Sequence, residues 1–577
     1  MSIASGCRCS RNSSGLAASI LVMVAAMTVG PPAHAGEVAD TPTPDPILTS
    51  NTLLAAAVPD ECYNGIGVDY PAMNPDGTCT TGQPKVNESR IWGLTEQSGK
   101  LWFGTLANSQ CTVTGQVKSS PTPYANNLIV CEFGESEGAR EHPNVPPNLG
   151  DWRPPSIYSY DLATNTLVKQ NITDPRIKQT LGFRGAGSID NIAFLSGQAI
   201  FGKTTAINFF AFQADTGEYL GSCSRTDYNY VRGWALVDGV LYVGVGSKTH
   251  GAVLRWNGSR ASFPGNFCTQ FSEVASLPGA VANLTLYTGG DGKDRLAATT
   301  VSLKNPDGAS IAVGAPNGVG TWISPPIPPG GFTTPGTWRQ VWSPTQYDPD
   351  MVTSHYGYSG GAVAQYDGWL YWGTIHLGGN AAIQVHEKCT ASYCFGNPAN
   401  NRELKALKAG VYRSTSVWRG RNLEDPATRE VQLLYGESEL PACCSAPKTF
   451  AMTPTGWTPL YGPSGFGNPD NEYTWRMAVF DGHLFIGTYD TAAIQNDWDE
   501  AGADLWRFDN SDSPAVNENY TGLGNNLNSG IRALHPLDDG SGLIVGTSNG
   551  FNLSPVGGWE LILLKEGGQQ LKDGDRK

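Results

Sequence analysis

Charge is scarce in this chain. Only 16% of its 577 residues are Asp, Glu, Lys or Arg, against about 25% in an average globular protein. That is too little for a coiled coil or a charge-rich disordered chain, and 10% aromatic content argues against disorder as well. Basic residues are the scarcer sign: 38 Lys and Arg face 52 Asp and Glu, for a net charge of −14. An acidic protein lacks the basic surface that phosphate backbones require, so nucleic acid is excluded as a main partner. No stretch reaches 18 apolar residues, so no transmembrane anchor is expected once the leader is removed. There is no Cys-x-x-Cys pair, no Gly-x-Ser-x-Gly elbow at a strand–helix junction and no phosphate-binding loop. Zinc-finger, serine-hydrolase and nucleotide-binding readings therefore find no support. Gly and Pro, in contrast, are plentiful at 70 and 39 residues. Together with the aromatics they point to many short strands joined by turns.

Residues 1–35 read as an export signal: Arg8 and Arg11, an uncharged apolar run from Leu16 to Val29, then Ala33-His34-Ala35 as the cleavage pattern. Removing two Arg and no carboxylate takes the formal charge from −14 to −16. Secretion or a periplasmic location follows. Ten Cys remain, an even number that suits disulfides in an oxidising compartment. Pairing by sequence neighbourhood gives Cys62–Cys79, Cys111–Cys131, Cys223–Cys268, Cys389–Cys394 and Cys443–Cys444, although sequence does not fix connectivity. For the adjacent pair the plainer reading is that Cys443 and Cys444 bind two different partners. Residues 36–60 read as a Pro/Thr-rich linker, 61–565 as the folded body and 566–577 as a polar tail.

The strongest signal is a repeat: an apolar strand, an Asp-Gly-like turn, and a strand ending in Gly-Thr. VRGWALVDGVLYVGV (231–245), GGAVAQYDGWLYWGT (360–374) and TWRMAVFDGHLFIGT (474–488) are the best copies. Residues 90–105, 531–547, 190–203 and 282–300 supply four more. Asp-Gly provides the positive φ that a tight hairpin demands. Second hairpins follow several copies, as at 156–170, 209–223, 252–263 and 505–516. On these motifs the chain resembles the β-propeller superfamily over about 85–565. The resemblance implies an all-β, seven-bladed β-propeller of four-stranded antiparallel sheets with long insertions near 106–156, 301–358 and 375–472. Asn401 to Ala409 is the one helical-looking piece of the last insertion. WELILL (559–564) is placed to pair with an N-terminal strand and close the ring.

In propellers a ligand sits at one mouth of the channel. By that analogy two sets of residues converge: Arg90, Arg232, Arg476 and Arg532 preceding the innermost strands, and His250, His376 and Tyr489 after the Gly-Thr ends, with His355 just before an inner strand. The Arg set suits a carboxylate or sulfate, and the His/Tyr set suits proton transfer. This pattern favours an exported propeller that binds, or acts as a lyase on, an anionic polysaccharide or small ligand, many aromatics being available to stack on sugar rings. A non-catalytic binding or scaffold propeller with a protein partner is the second reading. The third is a periplasmic oxidoreductase: copper on His250, His355 and His376, or a quinone above a Cys443–Cys444 ring, since such rings and a motif faintly like QADTGEYL (213–220) occur in quinone-dependent dehydrogenase propellers. The run DWDEAGAD (497–504) offers Asp497, Asp499, Glu500 and Asp504 as oxygen ligands for Ca²⁺, its plainer reading being a solvated acidic loop.

Overall fold

The computed structural model describes residues 45–567 apart from 118–121, 136–139, 141–148, 150, 200–205, 304–317, 377–379, 496 and 500. The export signal therefore lies outside the described residues. Each copy of the repeat forms the first two strands of a four-stranded antiparallel meander. Sheet 1 runs Glu88–Gln97, Lys100–Ala107, Ile157–Asp161 and Thr166–Lys169. Sheet 2 comprises Gly185–Ile189, Ile192–Ala199, Ala206–Gln213 and Tyr219–Arg225, and sheet 3 Tyr230–Val237, Val240–Gly246, Gly251–Trp256 and Phe271–Leu277. Sheet 4 is Ala280–Thr288, Asp294–Val301, Gly320–Ile323 and Arg339–Trp342. Sheet 5 is Tyr358–Tyr366, Trp369–His376, Val417–Arg421 and Glu430–Tyr435, and sheet 6 Asn471–Phe480, His483–Asp490, Leu505–Phe508 and Val516–Asn519. Sheet 7 joins Gly530–Pro536, Leu543–Ser548 and Glu560–Lys565 to Ser50–Ala56 from the N-terminal side.

The first strands of successive meanders adjoin one another, and that of sheet 7 adjoins that of sheet 1, giving a closed, propeller-type ring. The meanders are not all separate. Single bridging pairs, Ser548 with Arg90, Ile375 with Tyr473 and Tyr489 with Gly530, link sheets 1, 5, 6 and 7 into one sixteen-stranded sheet.

Local chemistry explains this arrangement. Asp238-Gly239, Asp367-Gly368 and Asp481-Gly482 all take positive φ at both positions, the turn that matches strand twist. The Gly of the Gly-Thr ends serves packing between sheets: a Cβ on Gly487 would meet Ile531 at 2.4 Å, and one on Gly546 would meet Ile91 at 2.7 Å. Apolar residues fill each gap, as where Phe103, Tyr158 and Trp559 pack together between the end of the chain and its beginning.

Three expectations are corrected. The segment 36–60 is not linker throughout: Ser50–Ala56 is the fourth strand of sheet 7, and the Ile47 and Leu48 amides donate to buried Glu518. Its apolar residues, Leu53 and Leu54, pack on the sheet, which a Thr/Pro count does not reveal. The long insertion holds helix Asn380–Lys388 as well as Asn401–Val411, and Ser109–Val117 is helical in the first insertion. Finally, Cys443 and Cys444 pair with each other rather than with two partners; the other four disulfides are Cys62–Cys79, Cys111–Cys131, Cys223–Cys268 and Cys389–Cys394. Five disulfides, with no described helix long and apolar enough to cross a membrane, fit an extracellular or periplasmic protein.

Candidate anion-binding site in the central channel

The first strands of all seven sheets line one cavity of about 550 Å³. It extends along the halves of these strands that lead into the Asp-Gly turns, past Leu286, Val363, Val479 and Leu534, and ends on Arg232 and Arg476. Arg532, Arg184 and Arg90 lie close enough to these two, or to one another, to interact electrostatically.

Their positions follow from the ladders. Arg476 pairs with Gly487 on the second strand, while Arg232 and Arg532 sit in irregularities of the sheet 3 and sheet 7 ladders, between Val231 and Trp234 and between Ile531 and Ala533. Arg232 is 2% and Arg532 1% exposed. Among the described residues no partner satisfies Nε, Nη1 or Nη2 of Arg532, nor Nε of Arg184. Arg476 donates only to the Arg532 carbonyl at 3.1 Å and to Asn283 Oδ1 at 3.3 Å, and Arg90 to Ser548 Oγ at 3.0 Å. Aromatic faces supply the rest: Trp475 lies between Arg90 and Arg532, 4.9 and 5.4 Å from its ring centre, and Arg184 sits 4.8 Å from the Tyr230 ring.

The charges facing these groups are one another and tyrosines. Burial, with Arg232 and Arg184 nearby, pushes Arg476 down to about 9. Burial pushes Arg90 down to about 10, and lowers Arg232. Arg532 is held well below its ordinary value by burial and then by Arg476, Arg232, Arg184 and Arg90. Guanidinium does not give up its proton in practice, so these shifts describe stored repulsion that an anion would relieve. Tyr230 is the complement: burial raises it, but Arg184, Arg232 and Arg532, with Arg232 in hydrogen-bonding reach of its hydroxyl, together bring it below its ordinary value.

The other mouth, where loops enter the first strands and leave the second, is the one the propeller analogy favoured. Among the described residues it holds an apolar cluster of Phe133, Ala492, Leu527 and Phe551 around the Cys111–Cys131 disulfide, with a space of about 10 Å³ between Arg90, Gln110, Tyr489, Ile494 and Phe551.

The His/Tyr set does not converge on the arginines. Tyr489 is nearest, stacked on Tyr473 at 4.8 Å, but burial holds its hydroxyl up at about 12 despite Arg90. His376 is fully buried between Tyr358 and Tyr412, with neither nitrogen partnered, and burial, then Arg413, drives it down to about 3. His250 is half-buried beside Glu273 at 3.4 Å, and His355 lies within the short helix Thr353–Tyr356, its Nδ1 2.7 Å from the Met351 carbonyl. The copper set of His250, His355 and His376 is thus not gathered. The Cys443–Cys444 pair lies on the inserted hairpin Glu439–Ala446/Thr449–Pro454, Cys443 packing with Leu407 and Phe450, and does not line the cavity where a quinone would need it. Of the acidic run, Asp504 is buried and bonded to Asn471 at 2.6 Å, and Glu500 lies outside the described residues. The groups of described residues close enough to share a metal are Glu96, His535 and Asp538, and Asp151 with the two disulfide-bonded Cys111 and Cys131; none comes from 497–504.

Sequence reasoning missed Arg184, Tyr230 and Asn283. Arg184 had a readable signal, since FRG (183–185) repeats VRG (231–233), but the second copy had been taken to start at Asp190.

No protein-family model and no curated protein matches the chain. Among solved structures, a prolyl endopeptidase is similar at 8% identity and TM-score 0.36, covering 80% of this chain; the chain spans 45% of that protein's length. The α-L-arabinofuranosidase Arb93A from Fusarium graminearum is similar at 11% identity and TM-score 0.31, over 76% of this chain and 93% of that one. The β-propeller domain of the trilobed protease from Pyrococcus furiosus follows at 9% identity and TM-score 0.27, over 68% and 95%. Likenesses this weak carry no argument about function. The ring rests on the strand pairing itself.

Proposed function

We propose that the chain is an exported seven-bladed β-propeller, one blade per meander and spanning about 45–565, whose function is to bind an anionic ligand in its central channel. One observation carries this reading: five arginines cluster where the cavity ends, Arg232 and Arg476 lining it, Arg232 and Arg532 almost fully buried, and Arg532 without a hydrogen-bond partner among the described residues. Burying unpaired charge costs several kcal/mol per ion, so a fold that retains it is selected for something that pairs with it. The anionic-polysaccharide reading narrows accordingly. A cavity of about 550 Å³ ending on buried arginines suits a small anion or the end of a ligand, not the middle of a polymer.

The test is thermal denaturation of the full chain titrated with acetate, inorganic phosphate and sulfate. A bound anion at about a hundredfold excess over its Kd stabilises by about 2.7 kcal/mol, and Arg532→Met removes that gain. An unchanged melting temperature across all three anions, equal in wild type and variant, overturns the reading.

Tyr230 favours a catalytic second reading. A tyrosine made more acidic by Arg184, Arg232 and Arg532 can, once ionised, take the proton α to a bound carboxylate as the bond to the glycosidic oxygen on the β carbon breaks, the proton then passing to that leaving oxygen, which is the lyase step. Absorbance of an unsaturated product from short uronate oligomers, lost in Tyr230→Phe, tests it. A flat trace with wild type removes catalysis while leaving binding in place.

A further inference from the structure

We propose that Glu96, His535 and Asp538 bind a divalent transition-metal ion of the Zn²⁺ type at the seam where sheet 7 meets sheet 1. This site is separate from the arginine cluster and does not rest on the anion-binding reading.

A long turn makes the site. Between its first two strands sheet 7 has the segment 537–542 in place of a two-residue Asp-Gly turn, closed by the Leu537 amide on the Gly542 carbonyl at 2.9 Å. The segment reaches across the seam. The Asp538 amide donates to Glu96 Oε2 at 2.9 Å, and Glu96 belongs to the first strand of sheet 1. Asp539 serves its own loop instead, accepting from the Ser541 amide at 2.9 Å. His535 stands on the first strand of sheet 7 and lines the cavity. One ring nitrogen and one oxygen from each carboxylate then lie within 4.8 Å of one another.

Two observations point to a cation among them. The first is His535 Nε2, which is shielded from solvent and has no hydrogen-bond partner among the described residues, although Glu96 Oε2 stands 3.5 Å away. That separation is long for a hydrogen bond. It is close to the roughly 3.3 Å between two ligand atoms on a tetrahedral ion with bonds of about 2.0–2.1 Å. The second is the burial of carboxylate without a permanent positive charge. The Glu96 side chain is 6% exposed, and His535 is the one basic group within ion-pair distance among the described residues. The charges bearing on Asp538 are Glu96, Asp539 and His535, with no Lys or Arg among them. Buried carboxylates are paired or hold metal.

The donor set selects the metal. An imidazole with two carboxylates suits Zn²⁺, whereas Ca²⁺ and Mg²⁺ take oxygen ligands. All ten Cys from Cys62 onward are in disulfides, so no thiolate among them competes. Three protein ligands leave a fourth position for water or for a ligand. Because the donors come from both sides of the seam, the ion adds a second clasp to the one that Ser50–Ala56 provides.

The experiment is calorimetry and thermal denaturation of the EDTA-treated full chain with ZnCl₂, MnCl₂ and CaCl₂. Wild type is expected to bind Zn²⁺ more tightly than Ca²⁺ and to melt higher with it, because the ion binds the folded seam and not the unfolded chain. Glu96→Gln keeps an acceptor for the Asp538 amide. It and His535→Asn should each weaken Zn²⁺ about a hundredfold or more, at least what loss of a supporting partner costs a metal site. Asp539→Asn removes the same charge one residue outside the set and should change affinity by about fivefold at most. Circular dichroism confirms that each variant is folded. No Zn²⁺ binding by wild type, or binding unchanged in both Glu96→Gln and His535→Asn, overturns the proposal. So does an equal loss in Asp539→Asn and Glu96→Gln, which would make the effect a general field of the turn. Ca²⁺ binding as tightly as Zn²⁺ overturns the assignment of an imidazole-ligated transition metal. Anion titrations run on the metal-free protein keep the two readings apart.

Discussion

At the end of the channel where the first strands begin, Gln110, Phe551 and Ile494 crowd around Arg90 and leave about 10 Å³ among them. At the end where those strands turn, the same seven strands enclose about 550 Å³. The repeat is of one kind at both ends, so the difference comes from what was added: long inserted segments at the first end, and at the second short turns such as Asp238-Gly239, Asp367-Gly368 and Asp481-Gly482. Arg232 and Arg476 line the larger space, and Arg90 the smaller.

Four substitutions bear on this contrast. Phe551→Ala removes a buried ring beside Arg90 and should cost about 3–5 kcal/mol of stability, read by denaturant unfolding, and should make Arg90 reachable by arginine-specific reagents. Arg532→Met acts at the middle. Replacing a partnerless buried cation with an apolar group of similar length should stabilise the ligand-free protein by about 1–4 kcal/mol, seen as a higher Tm, while abolishing stabilisation by anions.

His376, at the end of the second strand of sheet 5, gives a pH signature. Its folded value of about 3 lies below its ordinary 6.5. The unfolded chain therefore binds more protons between the two, and stability present above 6.5 is lost as pH falls toward 3. One unit below the ordinary value this costs about 1.4 kcal/mol. His376→Phe should flatten that part of the Tm-against-pH curve. The smallest effect is expected at the open rim: Asp481→Asn keeps a side chain that accepts positive φ, so stability should stay within about 0.5 kcal/mol. Its anion association rate should rise at low salt and converge on wild type as salt is added.

How much of this was legible in the sequence differs by level. The meanders were readable because Asp-Gly turns and Gly-Thr ends are local devices with local causes. The four arginines were readable because they recur near one place in the repeat. The apolar cluster beside Arg90 was not, because Phe551, Ile494 and Cys111 come from distant segments that meet only after the ring closes. His376 looked like a site residue because it follows a Gly-Thr end, yet it faces Tyr358 and Tyr412 rather than the channel. Strand Ser50–Ala56 was hidden because its partner, Glu560–Lys565, lies some 500 residues away.

The central claim is that an anion sits among the channel arginines. Anomalous diffraction from crystals soaked in selenate tests it most directly. The account predicts a peak within hydrogen-bond distance of the Arg232, Arg476 or Arg532 guanidinium groups, absent in Arg532→Met crystals. Selenate found only on surface residues, with the channel empty at the same occupancy, would contradict it.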